Sequence, residues 1–143
     1  MKKIVMLFLP LIMGVMISCS SAQVKNPYIQ REWMLISFED FTKEQLIKNK
    51  AGINLTAEKK EGKIRGGAFM GCNKIFFTSE FKSNGKVKIS GVGSTMMACQ
   101  NMALETAFAK SFDKMTTYSV EGHFLTLSDE KGKVMKFVAA DWD

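Results

Sequence analysis

The chain has 143 residues and a formal net charge of +6, with 20 basic and 14 acidic residues. Its length allows one domain and no more. The lysines are spread along the chain and are interrupted by Glu58, Glu61 and Glu80. No basic run is interleaved with aromatic residues in the way that a nucleic-acid groove requires, so the composition argues against nucleic acid as a partner.

The N-terminus predicts an export signal. Lys2 and Lys3 precede an uncharged apolar run from Ile4 to Ile17. This run suits the core of a secretory signal and is too short for a confident membrane span, although a marginal membrane anchor is the alternative. Without Lys2 and Lys3 the net charge falls to +4, since 18 basic residues then face 14 acidic ones.

Cys19 directly follows the apolar run, at the place where bacterial lipoproteins carry the cysteine that is acylated and becomes the first residue. Of the three residues before it, Ser18 fits the usual lipoprotein pattern. Cleavage after Ala22 is the alternative, because Ser20 and Ala22 are small residues at the required spacing, and it would give a secreted protein. We expect lipidation at Cys19, since a lone unpaired cysteine is a liability in an exported protein.

These features divide the chain into a lipoprotein signal peptide over residues 1–18, a tether over residues 19–30 and a domain over residues 31–140. Within the domain, short segments alternate apolar and polar residues and are separated by turn residues: EWMLISFED, GINLTAEKK, KIRGGAF, NKIFFTSEFKS, KVKIS, TTYSVEG, FLTLSD and KVMKFVA. Glu61-Gly62, Asn84-Gly85 and Gly122-His123 mark hairpins. Ile53, Leu55 and Ala57 of the second segment would share one face, and Ile64, Gly66 and Ala68 of the third segment would share another. The pattern predicts a mainly β fold, a small antiparallel barrel or roll of about eight strands.

Two segments have helical signals. Thr42, followed three residues later by Gln45, predicts a capping box at the start of a short helix. Between Met102 and Met115 the apolar residues recur at helical spacing, at Leu104, Phe108, Phe112 and Met115. Asn101 is the predicted N-cap of this second helix, which should pack on the sheet.

Cys72 and Cys99 admit several chemistries. A structural zinc site wants four ligands, and the chain supplies these two distant cysteines and a single histidine, His123, in a hairpin turn. A nucleophilic cysteine needs a base, and no catalytic pair of residues stands out. Cu(I) stays an alternative because Met70, Met96, Met97 and Met102 lie near the cysteines in sequence. In an oxidising compartment the two cysteines most simply form a disulfide, which would tie the start of the helix to the sheet.

The chain resembles the META domain family, also called HslJ-like, over residues 31–139. The resemblance lies in two stretches that follow each other in this order: IRGGAFMGCNKIFF and KVKISGVGSTMMACQNMALETAF. Its most specific elements are Gly71-Cys72-Asn73 and the segment Thr95-Met96-Met97-Ala98-Cys99 followed by Glu105. The structural motif residues of the family are therefore Gly71, Asn73, Thr95, Met97, Ala98 and Glu105. The resemblance implies a mainly antiparallel β-barrel-like fold with one helix, a bond between Cys72 and Cys99, and no catalytic activity or cofactor.

The resemblance also implies an envelope protein, often a lipoprotein, associated with heat-shock induction and antibiotic tolerance, or with secretion and motility. We expect a non-enzymatic, monomeric lipoprotein, with no catalytic residue, metal or cofactor, that faces the periplasm from the outer membrane and supports stress resistance by binding envelope proteins. The alternative is a barrel that holds a small apolar ligand, motivated by Phe76, Phe77, Phe81, Phe124 and Phe137 on predicted strands.

Overall fold

The computed structural model describes residues 28–142, so the predicted signal peptide, Cys19 and most of the predicted tether lie outside the described residues. Within this range the chain forms an eight-stranded antiparallel sheet with the spatial order β5-β4-β3-β2-β1-β8-β7-β6. The strands are β1 (Glu32–Phe38), β2 (Gly52–Asn54), β3 (Ile64–Phe69), β4 (Lys74–Phe81), β5 (Val87–Ser94), β6 (Thr117–Glu121), β7 (Phe124–Ser128) and β8 (Val134–Ala139). The helices are α1 (Lys43–Lys48), α2 (Ala103–Phe112) and a short 3₁₀ turn, Ala140–Trp142.

The sheet curls into a half-barrel whose two edge strands, β5 and β6, approach each other at one end. Lys86 and Thr117 form an isolated antiparallel bridge there. Beside it the Val87 N–H donates to the Thr116 carbonyl at 3.0 Å and the Tyr118 N–H donates to the Gly85 carbonyl at 2.8 Å. Helix α2 links β5 to β6 and buries one side against the sheet. The predicted antiparallel barrel or roll with one packed helix is confirmed.

The predicted hairpins are present because their turn residues tolerate positive φ angles. Glu61 and Gly62 have φ values of 51° and 80° and separate the bridged residues Lys60 and Lys63, as a two-residue primed turn requires. The β4–β5 hairpin turns through Gly85 at a φ of 79° and the β6–β7 hairpin through Gly122 at a φ of 60°.

The alternation of the strands sends one set of side chains into the core. Trp33, Leu35, Leu125, Leu127, Met135 and Phe137 are all buried. The prediction for Ala57 was wrong, because the chain leaves β2 after Asn54 and Ala57 is exposed. The fold begins before the predicted boundary at residue 31, since Ile29 is buried and its carbonyl accepts a hydrogen bond from Trp33 Nε1 at 3.0 Å.

Both helices form where the sequence predicts them. Thr42 and Gln45 make the capping box of α1, with the Gln45 N–H donating to Thr42 Oγ1 at 3.2 Å and the Thr42 N–H donating to Gln45 Oε1 at 2.8 Å. Helix α2 begins one residue later than predicted, so Met102 occupies the N-cap position while Asn101 Oδ1 accepts the Ala103 N–H at 3.2 Å. The four apolar residues of the predicted stripe, Leu104, Phe108, Phe112 and Met115, are buried.

The five phenylalanines considered for a ligand cavity do not share one environment. Phe77 and Phe137 are buried in the core, where the Phe77 ring packs edge-on against Phe112 at 4.8 Å between centroids. Phe81 packs against Tyr118 at 4.9 Å between ring centroids. Phe76 and Phe124 are exposed on the opposite face of the sheet and cannot line its interior. Among residues 28–142, neither helix is long and apolar enough to cross a membrane.

Candidate functional site

The family-motif residues converge where the β3–β4 turn meets the loop between β5 and α2. The predicted disulfide between Cys72 and Cys99 is present, with a Cα–Cα distance of 6.0 Å and a sequence separation of 27. It covalently joins this turn to that loop. Cys72 is buried, whereas Cys99 lies at the surface.

Asn73 is the centre of the hydrogen bonds at this site and is 3% exposed. Its Oδ1 accepts the Met97 N–H at 2.7 Å and the Thr95 hydroxyl at 2.8 Å. Its Nδ2 donates to the Met97 carbonyl at 3.1 Å and to Glu105 Oε1 at 2.7 Å. One amide side chain therefore holds both the N–H and the carbonyl of Met97, which fixes the path of the loop.

Glu105 completes the buried base of the site. It lies in the first turn of α2, where a carboxylate interacts favourably with the helix dipole. Its Oε2 accepts the Asn73 backbone N–H at 2.7 Å, while its Oε1 accepts the Asn73 amide. Because both oxygens accept hydrogen bonds from Asn73, the buried carboxylate is satisfied rather than left as an unpaired polar group.

Gly71 allows the backbone conformation of the β3–β4 turn that positions Asn73. Its φ of 111° lies in a region that other residues rarely adopt. A Cβ at this position would also collide with the side-chain amide of Asn49, the C-cap residue of α1. The glycine thus lets the β3–β4 turn pass directly against the end of α1.

The segment Thr95–Cys99, which we call the fastened loop, is held on its buried side by hydrogen bonds and the disulfide and is exposed on its outer side. Thr95 Oγ1 accepts the Lys74 N–H at 3.1 Å in addition to donating to Asn73. Met96 is 95% exposed and Met97 is also exposed. Ala98 lies at the surface between them and the disulfide. The arrangement presents flexible thioether side chains on a backbone that is already ordered, which suits contact with another molecule.

The same geometry bears on the other chemistries considered for the cysteines. A disulfide offers no thiolate either as a nucleophile or as a copper ligand. Met70 is buried in the core while Met96 points to solvent, so the methionines do not share one environment. Across the part of the chain that the structure describes, no three His, Cys, Asp or Glu side chains form a group that could hold a metal ion.

Sequence reasoning missed three contacts. His123 was predicted only as a residue of a hairpin turn, but its ring stacks on Trp142 with 3.6 Å between centroids and 12° between planes. The contact of Gly71 with Asn49 was not predicted, and neither was the pairing of Asn73 with Glu105 across 32 residues. The resemblance identified Gly71, Asn73 and Glu105 as motif residues, but no spacing rule connects residues so far apart.

Comparisons with known proteins place this fold and motif in context. The META domain model matches residues 26–142. The chain resembles a protein from Burkholderia xenovorans solved by NMR, with a TM-score of 0.60 and 18% identity over 78% of this chain and 82% of that one. It also resembles a DUF4847 family protein from Bacteroides vulgatus ATCC 8482, with a TM-score of 0.53 and 14% identity over 84% of this chain and 99% of that one.

A further NMR structure has a TM-score of 0.55 and 22% identity over 78% of this chain and 91% of the other. At these identities the three structures establish a shared fold. A comparison with curated proteins found no match. The family model covers most of the sequence, including the whole of the β3–β4 turn, the fastened loop and α2. The chain belongs to the META domain family.

Proposed function

We propose that this META domain protein is a non-enzymatic, HslJ-like lipoprotein of the cell envelope that binds an envelope protein through the fastened loop. In this proposal Cys19 carries the lipid anchor in the outer membrane and the domain faces the periplasm. Binding supports tolerance of heat or antibiotic stress. The domain acts as a monomer and needs no cofactor.

The observation that carries the proposal is the contrast between the base and the surface of the fastened loop. A buried amide, a buried carboxylate and a disulfide all act on a segment whose outermost side chain, Met96, is 95% exposed. Burying polar groups is costly unless every one is hydrogen-bonded, so this base is a demanding way to hold a loop. Holding the loop in one conformation lowers the entropic cost of binding, and methionine adapts its shape to a partner surface.

Binding is favoured over catalysis by the state of the reactive groups. Cys72 and Cys99 are bonded to each other, and both oxygens of Glu105 accept hydrogen bonds from Asn73. His123 is stacked on Trp142. None of these groups presents the nucleophile and base within hydrogen-bond reach that covalent catalysis uses.

The anchor is tested by the mass of the mature protein. Lipidation at Cys19 predicts a chain that begins at this residue and carries acyl groups. Cys19→Ala should release the protein from the membrane fraction. An unmodified mature chain that begins at Gln23 would refute the lipoprotein assignment.

The binding role is tested by complementation of a deletion strain under heat or antibiotic stress. Met96→Ser removes the most exposed thioether of the fastened loop. Ile47→Ser is its matched control, because Ile47 is an apolar residue that is 65% exposed and belongs to α1, not to the fastened loop. We expect Met96→Ser to lose rescue at normal protein abundance while Ile47→Ser retains it. Equal rescue by both variants would contradict binding through Met96.

A further inference from the structure

A second surface, on the outside of the sheet, is apolar. Met34, Phe69, Phe76 and Phe124 are exposed there, and we call these four residues the outer apolar face. They belong to four different strands, so their proximity is set by strand register and not by sequence.

The register makes the outer apolar face continuous. Phe124 pairs with Val138, Val138 with Met34, Met34 with Gly52, and Gly52 with Phe69, which gives one row across β7, β8, β1, β2 and β3. In the neighbouring row Phe76 pairs with Gly67. Gly52 and Gly67 carry no side chains, so the backbone between the aromatic rings is open and forms a shallow cleft of about 460 Å³.

Lysines border this apolar surface. Lys74 is the register partner of Phe69, and Lys50 lies along the cleft. Lys136 holds its Nζ 5.1 Å from the centre of the Phe124 ring. Lysine stems cover apolar surface while the ammonium groups reach outward, and near a membrane these groups are attracted to anionic headgroups. Among residues 28–142, Glu32 is the single acidic residue that lines the cleft, against Lys50 and Lys74. The excess of lysine disfavours a second copy as the occupant, because two such faces would bring a net positive charge against a net positive charge.

The chain enters the domain beside this surface. Met34 lies two residues into β1, and the nine residues from Cys19 to Pro27 precede the described range. Fully extended, nine residues reach about 30 Å, so a lipid at Cys19 would keep the outer apolar face close to the bilayer. Trp142, 56% exposed, stacks on His123 next to Phe124 and adds an indole of the kind that favours the membrane interface.

We propose that the outer apolar face rests on a bilayer surface containing anionic lipids, with Phe69 and Phe76 entering the headgroup region and the lysines contacting phosphates. The proximity of the bilayer rests on the lipid anchor of the proposed function, whereas the contact itself depends on this face. In this orientation α2, which covers the inner side of the sheet, is directed away from the membrane.

The test is fluorescence quenching by brominated acyl chains in vesicles of phosphatidylethanolamine and phosphatidylglycerol that carry the full chain, with lipid in excess. The chain has 2 tryptophans, and Trp142→Phe leaves Trp33, which is 1% exposed, as a constant background. Phe69→Trp and Phe76→Trp, each made in this background, then report from the face. Thr106→Trp is the matched control, because Thr106 is exposed on α2.

We expect brominated lipid to remove about half or more of the emission added by Phe69→Trp or Phe76→Trp, because interfacial side chains enter the headgroup boundary by about 5–10 Å. The emission added by Thr106→Trp should stay unchanged. Equal quenching at all three positions, or no quenching at the two face positions, would overturn the proposal. The use of two face reporters guards against one variant that fails to fold.

The mass of the chain recovered from the same vesicles separates this proposal from the anchor. If Cys19 is unmodified and the face reporters are still quenched, the face binds lipid and the lipoprotein assignment fails. If Cys19 is acylated and the face reporters are not quenched, the anchor stands and the contact is refuted.

Discussion

Helix α2 is buried on two sides, one held by apolar packing and the other by hydrogen bonds. Its apolar stripe packs on the sheet, with the Phe108 and Phe112 rings stacked at 4.5 Å between centroids and Phe112 edge-on to Phe77. Its polar side is Glu105, which accepts two hydrogen bonds from Asn73. Apolar burial has no required direction, whereas each hydrogen bond requires a donor and an acceptor at one place.

The two sides therefore do different work for the molecule. The apolar stripe provides stability that is spread over many contacts, and it tolerates side chains of similar volume. The Glu105 side fixes Asn73, which in turn fixes the Met97 backbone of the fastened loop. We expect substitutions that remove side-chain volume to destabilise the apolar stripe most. On the Glu105 side, substitutions that exchange a hydrogen-bond donor for an acceptor should be damaging even when the volume is unchanged.

The largest expected effect comes from lost volume in the apolar stripe. Phe108 is fully buried, so Phe108→Ala should lower the free energy of unfolding by about 3–5 kcal/mol, measured by urea denaturation. Thr106→Ala, on the exposed side of the same helix, should change it by less than about 0.5 kcal/mol. A loss below about 1 kcal/mol for Phe108→Ala would mean that the stripe is not an essential part of the core.

The next largest loss of stability should come from removing the disulfide that joins the β3–β4 turn to the fastened loop. Cys72 and Cys99 close a loop with a sequence separation of 27, and losing this closure should cost about 3.5 kcal/mol in the loop-entropy model. Cys72→Ser, Cys99→Ser and the double variant should all lose a similar amount, because each lacks the same bond. If the double variant lost the sum of the single losses in urea denaturation, the two cysteines would stabilise the fold separately.

The sequence predicted the apolar stripe of α2, the helix cap and the hairpins well, because periodicity and turn chemistry depend on residues that are close together in the chain. The stripe from Leu104 to Met115 and the capping box at Thr42 each lie within a few turns of chain. Hairpins such as Lys60–Lys63 depend on two adjacent residues with positive φ angles. The prediction for Ala57 failed because the alternation of apolar and polar residues does not show where a strand leaves the sheet.

The polar side of α2 was less accessible to sequence reasoning. The resemblance named Asn73 and Glu105, yet their hydrogen bonds depend on how α2 docks on β4, which is a tertiary property. The stacking of His123 on Trp142 was missed for the same reason, since it joins a hairpin turn to the last turn of the described chain. The disulfide was predictable because the N-terminal sequence predicted export, and few other roles suit two cysteines in an exported domain.

A near-isosteric exchange should separate the two sides of α2. Asn73→Asp keeps the shape but removes the Nδ2 donor to Met97 and Glu105 and places a second carboxylate beside Glu105. We expect a loss of about 2–3 kcal/mol, because a buried acceptor is left without its donor. Leu104→Met, an exchange of similar volume in the apolar stripe, should cost less than about 1.5 kcal/mol. Equal small losses in urea denaturation would remove the distinction between the two sides.

The smallest expected effect on stability lies at the exposed end of the polar side. Met96 is 95% exposed, so Met96→Ser should change the free energy of unfolding by less than about 0.5 kcal/mol. The Met97 N–H, which donates to Asn73 Oδ1, should keep its protection from hydrogen exchange, because none of the groups that hold the loop is altered. A loss above about 1 kcal/mol, or faster exchange at Met97, would show that Met96 helps to hold the loop. Failure of Met96→Ser in complementation would then reflect a damaged fold, and the proposal that Met96 contacts a partner would lose its basis.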